Sequence, residues 1–289
     1  MSFAHALKNR WLRAVTDLQV SLRPPKRQHT FFIASAAHDA SGWIERHLAS
    51  IAGQRYPLER VEHVILDDAS GDDTAEVARR ALRKLPSLRT RVERNESQLG
   101  GCANLTRLFR SAPAESIVLQ VDADDWLADP GVLAYLNYLY QDPELWMTYN
   151  SWQFPDGSPS TNSRPLPRSV IRRGAFREHI WVTSHLHSFR KELFDHVRED
   201  SLIDPETGEY FRSAVDMSHY FPMLELAGRR ARHVPRILYV YNLHAGSLIA
   251  SKRDKQLACE RRIRALRRYA PLPSLHGREA PAQDSDCEF

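Results

Sequence analysis

Ser116-Ile117-Val118-Leu119-Gln120-Val121-Asp122-Ala123-Asp124-Asp125-Trp126-Leu127 joins a short apolar run to three carboxylates. The run from Ile117 to Val121 has the length and composition of a strand buried on both faces, as in a parallel sheet. The carboxylates that end it repel one another and lose hydration. That is tolerable where a divalent cation and its ligand share the site, because hard cations take oxygen donors. Open α/β sheets carry their ligands beyond the C-terminal ends of strands. The alternative is an acidic turn that only caps the next helix.

Upstream, strands and helices alternate. Thr30 to Ser35 reads as a strand, and Ala40 to Ala52 as a helix with Trp43, Ile44, Leu48 and Ile51 in phase, stopped by Gly53 and Pro57. Val61 to Leu66 is a second strand, running into Asp67-Asp68-Ala69-Ser70-Gly71-Asp72-Asp73-Thr74. A helix from Ala75 to Leu85, a strand from Leu88 to Arg94 and a helix opened by Gly100-Gly101 and ending near Ala112 complete the approach. Such alternation with short connections makes βαβ units and a parallel sheet.

Downstream, the spacing predicts a helix over Val132–Tyr140, a strand over Trp146–Phe154, and a loop over Pro155–Arg168, rich in Pro, Ser, Asn and Gly. Thr183-Ser184-His185-Leu186-His187-Ser188-Phe189-Arg190 leads into a helix from Lys191. A further helix runs from Val215 to Leu226 and stops at Gly228, and a last strand spans Arg236–Tyr241. Residues 251–270 form a basic helix with Arg261, Arg262, Arg264, Arg267 and Arg268, and 271–289 read as a disordered tail.

Residues 1–29 stand apart as a basic amphipathic extension. Phe3, Leu7, Trp11, Ala14, Val15, Leu18 and Leu22 recur at helical spacing, with Lys8, Arg10 and Arg13 off the stripe, and Arg23-Pro24-Pro25-Lys26-Arg27 ends it. Two readings are open: peripheral contact with an anionic membrane through the basic termini, or a helix that docks its stripe on the protein's own core.

With 42% hydrophobic and 26% charged residues, the chain is an ordinary globular one rather than disordered. No apolar run reaches the roughly 18 residues of a membrane span. Lys8, Arg10, Arg13 and Asp17 interrupt any secretory signal. Three widely spaced cysteines, Cys102, Cys259 and Cys287, read as reduced thiols of a cytoplasmic protein. The net charge of +4 is a mild bias toward anionic partners; nucleic acid is not expected among them.

The motifs exclude several chemistries. Neither a Gly-x-x-x-x-Gly-Lys-Ser/Thr phosphate loop nor a Gly-x-Gly-x-x-Gly dinucleotide turn is present. A Gly-x-Ser-x-Gly nucleophile elbow is also missing. Asp122-Ala123-Asp124 opens like a phosphoaspartyl hydrolase, but Trp126 does not suit the position two further on.

The pair Val64-Ile65-Leu66-Asp67-Asp68-Ala69-Ser70-Gly71-Asp72-Asp73-Thr74 and Leu119-Gln120-Val121-Asp122-Ala123-Asp124-Asp125-Trp126-Leu127, about fifty residues apart, resembles glycosyltransferase family 2 of the GT-A fold. Ile44-Glu45 through Ser50-Ile51 and Gln54-Arg55-Tyr56-Pro57 resemble its first helix and the following turn, and Asn95 to Asn104 its donor-side loop. The resemblance covers roughly residues 30–250. It implies an α/β architecture of GT-A type, a mostly parallel sheet flanked by helices. It also implies a donor site of Asp68, Asp67, Ser35, Gly100, Asn104, Asp122 and Asp124. Asp122 and Asp124, joined by His244 of Tyr241-Asn242-Leu243-His244-Ala245-Gly246-Ser247, would hold Mn²⁺ or Mg²⁺ on the diphosphate. Asp216 stands where the family keeps its catalytic base, with Val215 in place of the usual acid before it. His185, His187 and Trp181 fall to the acceptor side. Where the family's first strand ends in an aromatic–Asn pair, this chain has Ala36-Ala37-His38-Asp39.

The expectation is thus a metal-dependent inverting glycosyltransferase using a nucleotide-sugar, most simply a UDP-sugar, on a glycan or glycolipid hydroxyl at the cytoplasmic face of a membrane. Two rivals stand beside it: a sugar-1-phosphate nucleotidylyltransferase, and a non-catalytic binding protein on the same fold.

Overall fold

Phe31 and Ile33 point to one side of strand β1 (Phe31–Ala37), Phe32 and Ala34 to the other, and all four are fully buried. A strand that alternates between two apolar faces must be covered on both. The computed structural model describes residues 3–160, 163–244 and 253–275. Around β1 it arranges β2 (Val61–Asp67), β3 (Arg89–Arg94), β4 (Ile117–Gln120), β5 (Trp126–Leu127), β6 (Met147–Gln153), β7 (His187–Arg190) and β8 (Ala231–Val240) in one eight-stranded sheet. The order is β3-β2-β1-β4-β7-β6-β8-β5. β1, β2, β3 and β4 pair in parallel, as do β6 and β8, while β7 and β5 run against their neighbours.

One face is covered by α2 (Ile44–Ala52), α3 (Thr74–Leu82) and α5 (Val132–Leu139) through Ile44, Leu48, Ile51, Val77, Ala78, Leu133 and Leu136. The other carries α4 (Gly101–Ser111), α6 (Arg168–Arg173), α7 (Lys191–Asp195), α8 (Val215–Ala227) and α9 (Arg253–Ala265) through residues such as Leu105, Phe109, Val170, Leu193, Tyr220, Leu224 and Ile263. α8 is buried on every side from Met217 to Ala227, which explains its lack of an amphipathic stripe. Arg177 seals α9 against it: buried with Glu225, it donates from Nε to Oε1 at 2.6 Å and from Nη2 to Oε2 at 3.0 Å.

Three readings of the sequence change. β8 begins at Ala231, five residues before the expected strand, because Pro235 sits exposed beside a register shift between Asn150 and Trp152 where its missing N–H is harmless. Residues 271–275 are not a disordered tail: Leu272 N–H donates to the Leu226 carbonyl at 2.9 Å and Leu275 is buried. The rest of that tail lies outside the described residues. Residues 3–29 are not a separate extension either. Helix α1 (Phe3–Leu22) docks against β8 and α5, and it does so by its polar side. Buried Arg236 donates from Nη1 to Thr16 Oγ1 at 2.6 Å and Asp17 Oδ1 at 2.8 Å, and from Nη2 to Asp129 Oδ1 at 2.9 Å. Val20 also packs on the core, while Leu7, Trp11, Leu18 and Leu22 of the apolar stripe stay exposed.

Candidate active site

The parallel register brings the C-terminal ends of β1 to β4 to one edge. Ala37 is level with Asp67, the Asp68 N–H donates to the Ala37 carbonyl at 2.8 Å, and the Ala123 N–H to the Ala36 carbonyl at 3.2 Å. Both acidic motifs thus share one crevice, as open α/β sheets favour.

Most of the first acidic run builds the crevice wall. Asp67 is fully buried, ion-paired to Arg94 at 2.9 Å, and accepts the Ser70 N–H at 3.0 Å. Asp72 takes the N–H groups of Ser41 at 3.1 Å and Thr74 at 3.0 Å, tying the β1–α2 loop to the start of α3. Asp68 clamps the donor-side loop: Oδ1 accepts from Asn95 Nδ2 at 2.9 Å and the Leu99 N–H at 2.7 Å, Oδ2 from the Gly100 N–H at 2.8 Å. Burial works to raise its pKa, but the amides of Asn104, Leu99, Asn95 and Gly100 outweigh it and the pKa falls. Gly100 opens α4 at φ +90°, a conformation that suits glycine.

The three carboxylates after β4 have separate surroundings. Asp125 is buried and accepts the Tyr239 hydroxyl at 2.5 Å and the Asn242 N–H at 2.6 Å. Burial, with Asp124 and Asp122 beside it, holds its pKa well above the usual carboxylate range. Asp122 accepts from Gln120 Nε2 at 3.0 Å, and Gln120 in turn accepts the Tyr220 hydroxyl at 2.6 Å. Burial lifts Asp122 to about 6; His185 pulls it back, and Asp124 and Asp216 add to the rise. Asp124 is half-buried, its Oδ2 3.0 Å from His244 Nε2, and the His244 ring leans on Trp43 at 5.5 Å between centroids.

α8 supplies the opposite wall. Asp216 lies in its first turn, and His185 Nε2 comes within 3.6 Å of Asp216 Oδ2. The His185 ring is stacked on Tyr239 at 5.0 Å and on Tyr241 at 5.7 Å. Asp216 and Tyr220 are four residues apart on one helical face, so the helix that presents Asp216 also steadies Asp122 through Gln120.

The structure therefore gathers Asp68, Gly100, Asp122, Asp124, His185, Asp216 and His244 and sets others aside. Ser35 does not reach the donor crevice: it is fully buried, donates to the Val121 carbonyl at 2.6 Å, and touches His47 and His63 at 3.1 and 3.0 Å. Asp67 is consumed by Arg94 and Ser70. Asn104 is buried behind Asn95, accepting its amide at 2.8 Å. His187 is buried in a stack on Tyr220 at 3.6 Å, and Trp181 packs edge-on against Phe221 at 5.0 Å, so both have packing roles. Sequence reasoning missed Gln120, Tyr220 and Tyr239, and did not separate buried Asp125 from the other two carboxylates. The four-residue step from Asp216 to Tyr220 and the two-residue step from Gln120 to Asp122 were the available signals.

Among the described residues, no group of three or more His, Cys, Asp and Glu side chains stands in metal-ligating geometry. A cation on a diphosphate needs less, since Mg²⁺-type ions take one or two carboxylates and complete their shell with phosphate oxygens and water. Asp124 in contact with His244, and Asp122 crowded by like charges, supply donors of that kind.

The profile of glycosyl transferase family 2 matches residues 33–198, more than half of the chain and including both acidic motifs. The chain belongs to glycosyltransferase family 2. No curated protein matches it. Among solved structures, Staphylococcus aureus TarS 1–349 in complex with UDP superposes with a TM-score of 0.57 at 18% identity, over 74% of this chain and 60% of that one. A mannosyltransferase from Pyrobaculum calidifontis in complex with GDP-Man and Mn²⁺ gives 0.55 at 20% identity, over 84% and 68%. Glucosyl-3-phosphoglycerate synthase from Mycobacterium tuberculosis, with Mn²⁺, UDP and glucosyl-3-phosphoglycerate, gives 0.52 at 15%, over 81% and 77%. The chain thus spans 60% of the first of these. At such identities the likeness establishes the fold, which is GT-A. Family 2 membership favours the glycosyltransferase reading over the nucleotidylyltransferase.

Proposed function

We propose that this family 2 member is a metal-dependent inverting transferase that moves a sugar from a UDP-sugar to a hydroxyl of a glycan or glycolipid, working in the cytoplasm. The observation that carries the reading is the opposition of two groups across one crevice: Asp122 and Asp124 after β4 with His244 after β8, and Asp216 at the start of α8 with His185 before β7. Asp68 and the Gly100 turn border the nucleotide end. Asp124 and His244, with Asp122, would hold the cation, Mn²⁺ or Mg²⁺, which when bound offsets negative charge on the departing diphosphate.

Asp216 is the base in this reading. It takes the proton of the acceptor hydroxyl as that oxygen attacks the anomeric carbon from the side opposite the diphosphate, so the configuration inverts. The C–O bond to the acceptor forms, the C–O bond to the phosphate breaks, and the diphosphate leaves with the bonding pair. A base must reach the hydroxyl at about 2.6–3.2 Å, and a half-exposed carboxylate at a helix start is open to such contact. His185, stacked on two tyrosines, orients the Asp216 carboxylate and borders the acceptor. Free, buried Cys102 and Cys259 agree with a reducing cytoplasm.

Thermal shift with UDP and GDP, with and without Mn²⁺, on the wild type and Asp124→Ala tests the donor site. UDP is expected to stabilise the wild type only with metal, and Asp124→Ala to abolish the shift. Absence of a shift with every nucleotide and metal would sink the reading.

A further inference from the structure

The polar docking of α1 leaves its apolar stripe facing solvent. Leu7, Trp11, Leu18 and Leu22 are 48%, 64%, 57% and 72% exposed. At about 100° per residue these four fall within a sector of about 60°, on the side opposite buried Thr16. A tryptophan that open is costly on an unpartnered surface, whereas a membrane interface accepts its amphipathic ring. Exposed Lys8 and Arg10 flank the stripe on its two shoulders, and exposed Arg23 and Lys26 follow its C-terminal end. The single acid of the helix, Asp17, is turned inward to Arg236. The outer face is thus apolar along its middle, basic at its edges and free of acid.

We propose that α1 is an interfacial docking helix that lays this stripe on an anionic membrane surface. Hydrophobic residues would enter the headgroup boundary while the lysine and arginine heads meet lipid phosphates. Charge decides the occupant. A second copy would present the same basic, acid-free face and so no carboxylate to pair with Lys8 and Arg10, whereas anionic lipid supplies that negative charge. The inference does not depend on the donor chemistry, because none of these residues touches the crevice carboxylates.

The test is co-sedimentation of the full chain with phosphatidylcholine vesicles, with and without about a third phosphatidylglycerol, at low and physiological salt. Two variants accompany the wild type: Leu7→Glu/Trp11→Glu/Leu18→Glu, and Lys8→Glu/Arg10→Glu. All changed positions are exposed, and circular dichroism with thermal melts checks that both variants fold. The wild type should bind the anionic vesicles and not the neutral ones. The stripe variant should lose at least about tenfold in partitioning, and the charge variant should lose a similar factor that shrinks as salt rises. Failure of the wild type to bind, or equal binding by the stripe variant, overturns the proposal. A wild-type dimer that the stripe variant dissolves, with no vesicle binding, assigns the face to a second copy and also overturns it. Nucleotide binding read on the same samples keeps the donor reading separate.

Discussion

His185 Nε2 and Asp216 Oδ2 stand 3.6 Å apart, across the gap between the segment entering β7 and the first turn of α8. The stacking of the His185 ring on Tyr239 and Tyr241 fixes the plane of the imidazole, so the carboxylate faces a partner that cannot swing away. Asp216→Asn keeps the shape and removes the proposed base. Turnover is expected to fall by about 10²–10⁴, with metal-dependent UDP binding unchanged. His185→Ala should lower kcat by less, with little change in donor affinity. Near-normal turnover in Asp216→Asn would move the base elsewhere.

The hydroxyl of Tyr239 is the joint between β8 and Asp125, and Asp125 in turn holds the Asn242 N–H two residues before His244. Tyr239→Phe removes one hydrogen bond to a buried carboxyl and should cost about 1.5–3 kcal/mol of stability, read by urea denaturation. It should also weaken metal-dependent nucleotide binding, because the segment carrying His244 loses its anchor. Full nucleotide affinity in this variant would show that Asn242 and His244 are held by other means.

His47, His63 and His219 give the fold an acid limit. All three are buried, and burial lowers His47 and His219 to about 4 and His63 well below its usual value, with His47 beside His63 lowering the latter further. In the unfolded chain they take protons below about 6.5 while the folded state refuses them. Stability is therefore complete above about pH 6.5 and lost as pH falls toward 4, by about 1.4 kcal/mol per pH unit for each imidazole. Thermal melts between pH 4.5 and 7.5 should show this slope, and His63→Gln should make it shallower. A flat melting temperature across that range would contradict the burial argument.

Arg236 is buried among Thr16, Asp17 and Asp129, and its guanidinium lies 5.0 Å from the Tyr135 ring. Arg236→Ala leaves the Asp129 carboxylate, itself only 6% exposed, with only the 3.7 Å approach of Arg13 and the Gly131 N–H in place of its closest cation. The expected cost is about 3–5 kcal/mol, with faster proteolysis inside α1. Protection of α1 equal to the wild type would mean that Arg13 and Arg55, which also approach Asp17, suffice to hold it.

The alternation of strand and helix from Thr30 to Leu127 was legible because each element there is regular and each boundary carries a Gly, a Pro or an acidic turn. β5 was not, since two residues carry no periodicity, and the early start of β8 hid behind Pro235. Asp122 and Asp124 were readable as candidates from the acidic end of an apolar strand, and Asp216 from the resemblance to family 2. The structural duties of Asp67, Ser35 and Asn104 were not, because each depends on a partner distant in sequence: Arg94, His63 and Asn95. Likewise, periodicity revealed the stripe of α1 but not its direction, which depends on where Arg236 lies in the sheet.

Arg236 sits three residues before Tyr239 on the same strand, so the anchor of α1 and the support of the crevice share one stretch of β8. No hinge separates them. A helix fastened in this way acts as a spacer of fixed length between whatever α1 rests on and the carboxylates of the crevice. Reach then becomes a selection rule. On the proposed reading, in which α1 rests on a membrane and Asp216 is the base, an acceptor rooted in that surface is served when its hydroxyl projects to the height of Asp216, and one that ends short of it or overshoots is passed over.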